Sequence, residues 1–292
     1  MINNTNQQSC KGAALLMENL FATGTYQKNK LLDSRIKQIK DIIKSRMKWD
    51  EKRREFTRHG VVAKFHADNQ YETDYVGLNS YLHSLGLLVP LARINYKELK
   101  NENEDVFKKI AEFQLPLEQY VKMNPNKQGK VNTLDIDLSH QADNDLILMW
   151  KQIKKAMEET QIIIDKVREN MLKCQLLQSE RKLACFYGSV SLLTKDPSFD
   201  VVSIFKTLGS EFLIHYSKPD LQKIIGEYIP NGWLTINEVN QYRDLKSNGT
   251  KFYLMDLETE IKQNNMLWGM KMRAAQKYRS KKALELEFEN LL

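Results

Sequence analysis

Residues 146–174 read LILMWKQIKKAMEETQIIIDKVRENMLKC. The apolar side chains Leu146, Trp150, Ile153, Met157, Ile164, Val167, Met171 and Cys174 recur in alternating steps of four and three, with Thr160 the one polar residue on that line. Only a helix places such positions on a single face; a strand alternates with period two. Ser139 or Asp143 can cap the start, no glycine or proline intervenes before Gly188, and Asp196-Pro197 ends the run. The spacing therefore predicts one central helix of some fifty residues, a rod of roughly 75 Å at 1.5 Å per residue. Ile147, Met149, Ala156, Ile163 and Leu177 widen the apolar stripe, which favours burial in a bundle of this chain's own helices over a narrow coiled coil between chains.

Working outward toward the N-terminus, Ala13 to Phe21 reads as a short helix that stops at Gly24. Lys28 to Arg58 then reads as a second long helix, with Leu32, Ile36, Ile39 and Ile43 on one face and Lys37, Lys40, Lys44 and Lys48 beside it. Past Gly60 the period changes. Val61 to Phe65 suits a strand, Thr73 to Leu85 a helix closed by Gly86, and Leu87 to Ile94 a second strand. This predicts a small α+β element near residues 60–95. Glu104 to Met123 is helical in pattern, with Pro116 as a kink, and Val131 to Leu138 alternates like a third strand.

Beyond Pro197 shorter helices are expected over 199–216 and 219–228. A turn at Pro230-Asn231-Gly232 precedes a helix capped by Thr235 that runs through Leu245. A second turn at Ser247-Asn248-Gly249 leads to a last helix from about Leu254. The fold class is mainly α, a helical bundle around one long central helix. The loop 124–132, with Pro125 and Gly129, divides the chain into residues 1–123, basic and carrying the strand-helix-strand unit, and residues 131–292, the bundle with the central helix.

Composition narrows the function. The chain has 292 residues, enough for a sizeable core, and a formal charge of +7, which suits an anionic partner. The polar, uncharged start Met1 to Gln8 is not a secretory signal, and Ala13 to Ala22 is too short to span a bilayer, so a cytoplasmic protein without a transmembrane segment is expected. Three widely spaced cysteines, Cys10, Cys174 and Cys185, form neither a disulfide framework nor a zinc knuckle.

Catalytic signals are thin. The phosphate-cradling loops G-x-x-x-x-G-K-[ST] and G-x-G-x-x-G are missing, as is the G-x-S-x-G elbow. His59, His66, His83, His140 and His215 lack the spacing that aligns two metal ligands on a helix. Two carboxylate groupings remain. Asp135 and Asp137 share one side of the third expected strand; Asp74, Glu98 and Lys100 have the residue types of a metal-dependent nuclease. Neither grouping nominates a catalytic residue, a metal or a cofactor, and the reading leans away from an enzyme.

The last helix carries the strongest signal. From Lys262 to Leu284 stand Lys262, Lys271, Arg273, Lys277, Arg279, Lys281 and Lys282, without one acidic residue. Ile261, Trp268, Met272 and Ala275 share a face on which the helix can dock, and Arg273, Lys277 and Lys281 step by four along the opposite one. Nucleic acid, DNA or RNA, is the partner such a row fits best, and an anionic membrane surface the second. The expected function is a non-catalytic helical scaffold or adaptor. Arg273, Lys277, Lys281, Lys271, Arg279 and Lys282, with Lys37, Lys40 and Lys44, would bind nucleic acid, and apolar helix faces would hold a protein partner or a second copy. Assembly without nucleic acid is the alternative, and a metal-dependent nuclease comes third.

Overall fold

The computed structural model describes residues 11–48, 50–102, 104–130 and 136–289, with the backbone alone at 102 and 283–289. In chain order the elements are α1 Ala13–Ala22, α2 Thr25–Arg46, β1 Arg53–Phe56, β2 Val61–Ala67, β3 Gln70–Thr73, α3 Tyr75–Ser84, α4 Leu88–Leu91, β4 Ala92–Arg93, α5 Tyr96–Glu102, α6 Glu104–Ile110 and β5 Gln119–Pro125. They continue with α7 Asp143–Leu172, α8 Gln175–Glu180, β6 Lys182–Cys185, β7 Gly188–Thr194, α9 Val201–Tyr216, β8 Lys218–Pro219, α10 Leu221–Lys223, α11 Ile236–Asn240, β9 Arg243–Ser247, β10 Thr250–Asp256 and α12 Leu257–Glu289. The protein is mainly α with small sheets, and a long helix stands at its centre in sequence.

The chain forms two compact units, each from two segments: Met1–Lys64 with Leu117–Lys195, and Phe65–Pro116 with Asp196–Leu292. This interleaving differs from a single cut in the 124–132 loop, because β5 before that loop pairs antiparallel with β7 beyond α7, in register from Gln119↔Thr194 to Pro125↔Gly188.

In the first unit α7 buries Leu146, Ile147, Trp150, Ile153, Thr160, Ile164 and Met171, the face its spacing predicts. Antiparallel α2 covers much of it with Asn29, Ile36, Ile39 and Ile43. Thr160 is a matched polar position. Its hydroxyl accepts from Asn29 Nδ2 at 2.9 Å and donates to the Met157 carbonyl at 3.0 Å. At the other end of the pair, Asp143 in the first turn of α7 binds Arg46 at 2.7 Å and Arg54 at 2.9 Å.

The central helix is 30 residues long rather than fifty. Its last helical residue is Leu172, Lys173 closes it, and Cys174 turns extended, with its Sγ accepting from the Ala13 amide at 3.3 Å. The chain leaves the helix where that thiol can satisfy an open donor at the start of α1, and nothing in local propensity marks the spot. A short separate helix, α8, follows, and then the strands β6 and β7 take the place of more helix. Val190 and Leu192 of β7 pack with Met17, Leu20, Phe21, Ile164 and Met171 in the core of this unit.

Other boundaries shift for similar reasons. The helix expected from Lys28 to Arg58 ends at Arg46, and Arg53–Phe56 is a strand paired with β2. The stretch Leu87 to Ile94 is mostly the helical turn α4, and the two-residue β4 pairs with β8 rather than with its sequence neighbours. β3 likewise pairs with β9, so residues 60–95 do not close a strand-helix-strand unit of their own. The second half of the helix expected over 104–123 is β5. Of the expected strand 131–138, residues 131–135, and Asp135 with them, lie outside the described residues, and 136–138 are not strand.

The second unit packs Leu78, Leu82, Leu88, Leu91, Ile110, Ile204, Leu213, Ile224, Leu234 and Val239 in one core, against which Met270 of α12 rests. Buried Asn79 donates from Nδ2 to the carbonyls of Leu213, Ile214 and Ser217 at 3.3, 3.0 and 2.8 Å, which closes the C-terminal end of α9. The helix capped by Thr235 is short, ending at Asn240, and β9 and β10 occupy the ground before α12.

Candidate nucleic-acid interface

α12 is positioned by what precedes it. Thr235 starts α11 with a reciprocal cap: its hydroxyl accepts from the Glu238 amide at 3.3 Å, and Glu238 Oε2 accepts from the Thr235 amide at 2.7 Å. The cap aims the Glu238 carboxylate at α12, where Lys277 Nζ reaches it at 3.0 Å and also donates to the Trp233 carbonyl at 3.4 Å. Burial pushes the Glu238 carboxyl up, but hydrogen bonds from Lys277, Thr235 and Tyr81 outweigh it and leave the group below the usual carboxylate range. Tyr81 is pushed in the opposite direction, chiefly by burial and then by its bond to Glu238.

This contact fixes the rotation of the helix. Lys277 is half-buried and its charge is matched, and the row Arg273, Lys277 and Lys281 runs along the side of α12 that faces the 230–232 turn and α11 rather than opposite a docked face. The face expected to dock is turned to solvent instead, with Ile261 49%, Trp268 66% and Met272 52% exposed, and Ala275 exposed as well. Met270, Ala274 and Lys277 take the inward side. Arg273 runs past the 230–232 turn, close enough that a Cβ on Gly232 would stand 3.5 Å from its Cδ. Lys271, Arg273, Arg279, Lys281 and Lys282 are exposed, and no carboxylate among the described residues pairs with them.

Between α11 and α12 lies a cleft of about 720 Å³, lined by Asn237, Glu238, Gln241, Lys277, Tyr278, Lys281 and Lys282 among others. It gathers three of the residues singled out in the sequence. Tyr278, Asn237 and Gln241 were not legible there as site residues. The Thr-x-x-Glu cap at 235–238 was the available signal, since it fixes α11 beside the turn that leads to it.

Lys37, Lys40 and Lys44 belong to α2 and so to the first unit. Lys37 is paired with Asp33 at 2.8 Å and borders a cleft of about 460 Å³ with Tyr26, Lys30, Ser34 and Lys130; Lys44 is exposed and Lys40 half-buried. The two cationic sets are thus surfaces of separate units.

Asp74 and Glu98 do line one cleft, of about 350 Å³, but with His215 and Lys218. Lys100 turns to the Tyr96 hydroxyl at 3.2 Å. Asp74 caps α3 by accepting from the Gly77 amide at 3.0 Å, and Glu98 is ion-paired with Lys218. Among the described residues no group of three His, Cys, Asp or Glu side chains is placed to hold a metal ion. No helix among them is long and apolar enough to cross a membrane. Comparison of the chain with known protein families, with curated proteins and with solved structures found no match in any of the three.

Proposed function

We propose that the protein is a non-catalytic helical adaptor that binds nucleic acid through the α12 surface of its second unit. The observation that supports this most is the set Lys271, Arg273, Arg279, Lys281 and Lys282, five exposed cations within twelve residues that no described carboxylate neutralises. Salt-bridged lysines elsewhere, such as Lys37 and Lys277, have given up that capacity in part. Cations without internal partners gain most from a phosphate backbone, because binding releases the counterions condensed on it.

The test is binding of labelled DNA and RNA followed over a salt series. With Arg273, Lys281 and Lys282 all changed to Gln, the dependence of log affinity on log salt should flatten by roughly two units, at about 0.7–0.9 per phosphate contact. Wild-type protein that binds neither nucleic acid at low salt removes the proposal.

A second reading has its own observation. Ile261, Trp268, Met272 and Ala275 form an exposed apolar line on α12, and self-association or a protein partner would cover it. Sedimentation of wild-type protein against Trp268→Glu tests this, with a single unchanged mass over a wide concentration range as the outcome that removes it.

A further inference from the structure

The cleft between α11 and α12 is electrically divided. Its floor is neutral: the Glu238 carboxylate takes hydrogen bonds from the Thr235 amide and hydroxyl and from Lys277, and the Lys277 charge is matched in return. Its other cations, Lys281 and Lys282, are exposed and without a described partner. Tyr278, 68% exposed, lines the same space. Asn237 and Gln241 are exposed, and neither side-chain amide is engaged by another described group. Each amide carries both donor and acceptor, so it can meet the edge of any base.

We infer that this site takes single-stranded nucleic acid, with one unpaired base lodged in the cleft on Tyr278 and its flanking phosphates on Lys281 and Lys282. The inference rests on the nucleic-acid reading above and specifies the form of the ligand. A phosphate gains little at a floor whose lysine is already satisfied by a carboxylate, whereas an uncharged ring suits it. The volume is of the size that holds a small planar ligand. A base in a duplex could enter only by leaving its stack and its partner, which a single strand has no need to do. Stacking on an exposed ring beside cations is also tolerant of sequence, since every base offers a face.

Fluorescence anisotropy on the full chain tests this with three probes at one salt concentration: a mixed-sequence single strand, its duplex, and the same strand with abasic sites throughout, each as DNA and as RNA. The single strand should bind at least tenfold tighter than the duplex, and the abasic strand should lose most of that advantage. Tyr278→Ala should weaken single-strand binding between about 5- and 100-fold. It should leave the salt dependence and duplex binding unchanged, and Tyr278→Trp should restore affinity. Because Tyr278 is exposed, the circular dichroism of the variant should match wild type. Equal binding of all three probes, or an unaffected Tyr278→Ala variant, overturns the inference while the nucleic-acid reading stands. Failure to bind any probe overturns both, as does binding confined to vesicles containing phosphatidylserine.

Discussion

Asn29 on α2 and Thr160 on α7 are both buried and are joined by a 2.9 Å hydrogen bond, so the one polar residue in the central apolar line has a dedicated partner 131 positions away. The Arg46–Asp143 pair ties the opposite ends of the same two helices. Seventeen residues separate the two ties on each helix, which pins the antiparallel register at both ends.

Thr160→Val should therefore destabilise the protein by about 1 kcal/mol despite being nearly isosteric, because it removes the shorter hydrogen bond of the buried Asn29 amide and leaves it only the Met157 carbonyl at 3.4 Å. Asn29→Leu combined with Thr160→Val should regain most of that loss. Urea unfolding measures both, and an unaltered midpoint in Thr160→Val would mean that the bond contributes nothing.

Ile164, 2% exposed and packed with Met17, Leu20 and Met171, should not tolerate a charge. Ile164→Asp should cost on the order of 3–5 kcal/mol and take far-ultraviolet helix signal with it. Retained helix with halved molecular mass would instead locate the seam between chains.

The parts of the fold that could be read from sequence are those held by local period. The buried face of α7 from Leu146 to Met171, the α2 line Ile36, Ile39 and Ile43, and the turn at 230–232 stand where spacing and turn chemistry put them, whereas of the turn expected at 247–249 Ser247 closes β9 and only two irregular residues separate it from β10. What was not legible depends on distant partners. β9 is almost wholly exposed and has no apolar alternation to detect; it is a strand because β3 is there to pair with it. β5 continues a helical-looking run and becomes a strand against β7. At the candidate site the cationic composition was plain, but the rotation of α12 was not. Lys277 is drawn inward by Glu238, thirty-nine residues earlier, and no periodicity reports that.

Glu238 should give the second unit an acid-sensitive element. Its carboxyl is held below its unfolded value, ordinarily about 4.3, so the added stability is present above that value and lost as pH falls through the lower folded one. Glu238→Gln should flatten the acid limb of a stability-against-pH curve below about pH 5. Lys277→Gln should do likewise, and it should leave the salt dependence of nucleic-acid binding nearly unchanged. A full unit of lost slope in Lys277→Gln would place that lysine on phosphate after all.

Gly12 and Gly24 both adopt positive φ, 58° and 71°, yet their surroundings differ. A Cβ on Gly12 would meet Cys174 Sγ at 2.6 Å, and one on Gly24 would meet nothing within 4 Å. Alanine at Gly24, which lies in the left-handed helical region, costs about 1–2 kcal/mol. Gly12→Ala should cost more, both because its ψ of −129° lies outside that region and because of the clash, which reaches the junction where α7 ends. Equal losses in thermal or urea unfolding would show that backbone and thiol both yield freely there.

The interleaving of the two units has a consequence for synthesis on the ribosome. The first unit is complete once residue 195 has emerged, with the 65–116 segment already made and its unit still unfinished. β3 then waits for β9, whose residues lie some 170 positions later. At about 5–20 residues per second that delay is roughly ten to thirty seconds, during which Tyr71 and the open backbone of β3 have no strand beside them. The nascent chain thus carries every residue of its first unit while the second still lacks the partner of β3, and translation speed sets a lower limit on when that sheet can close.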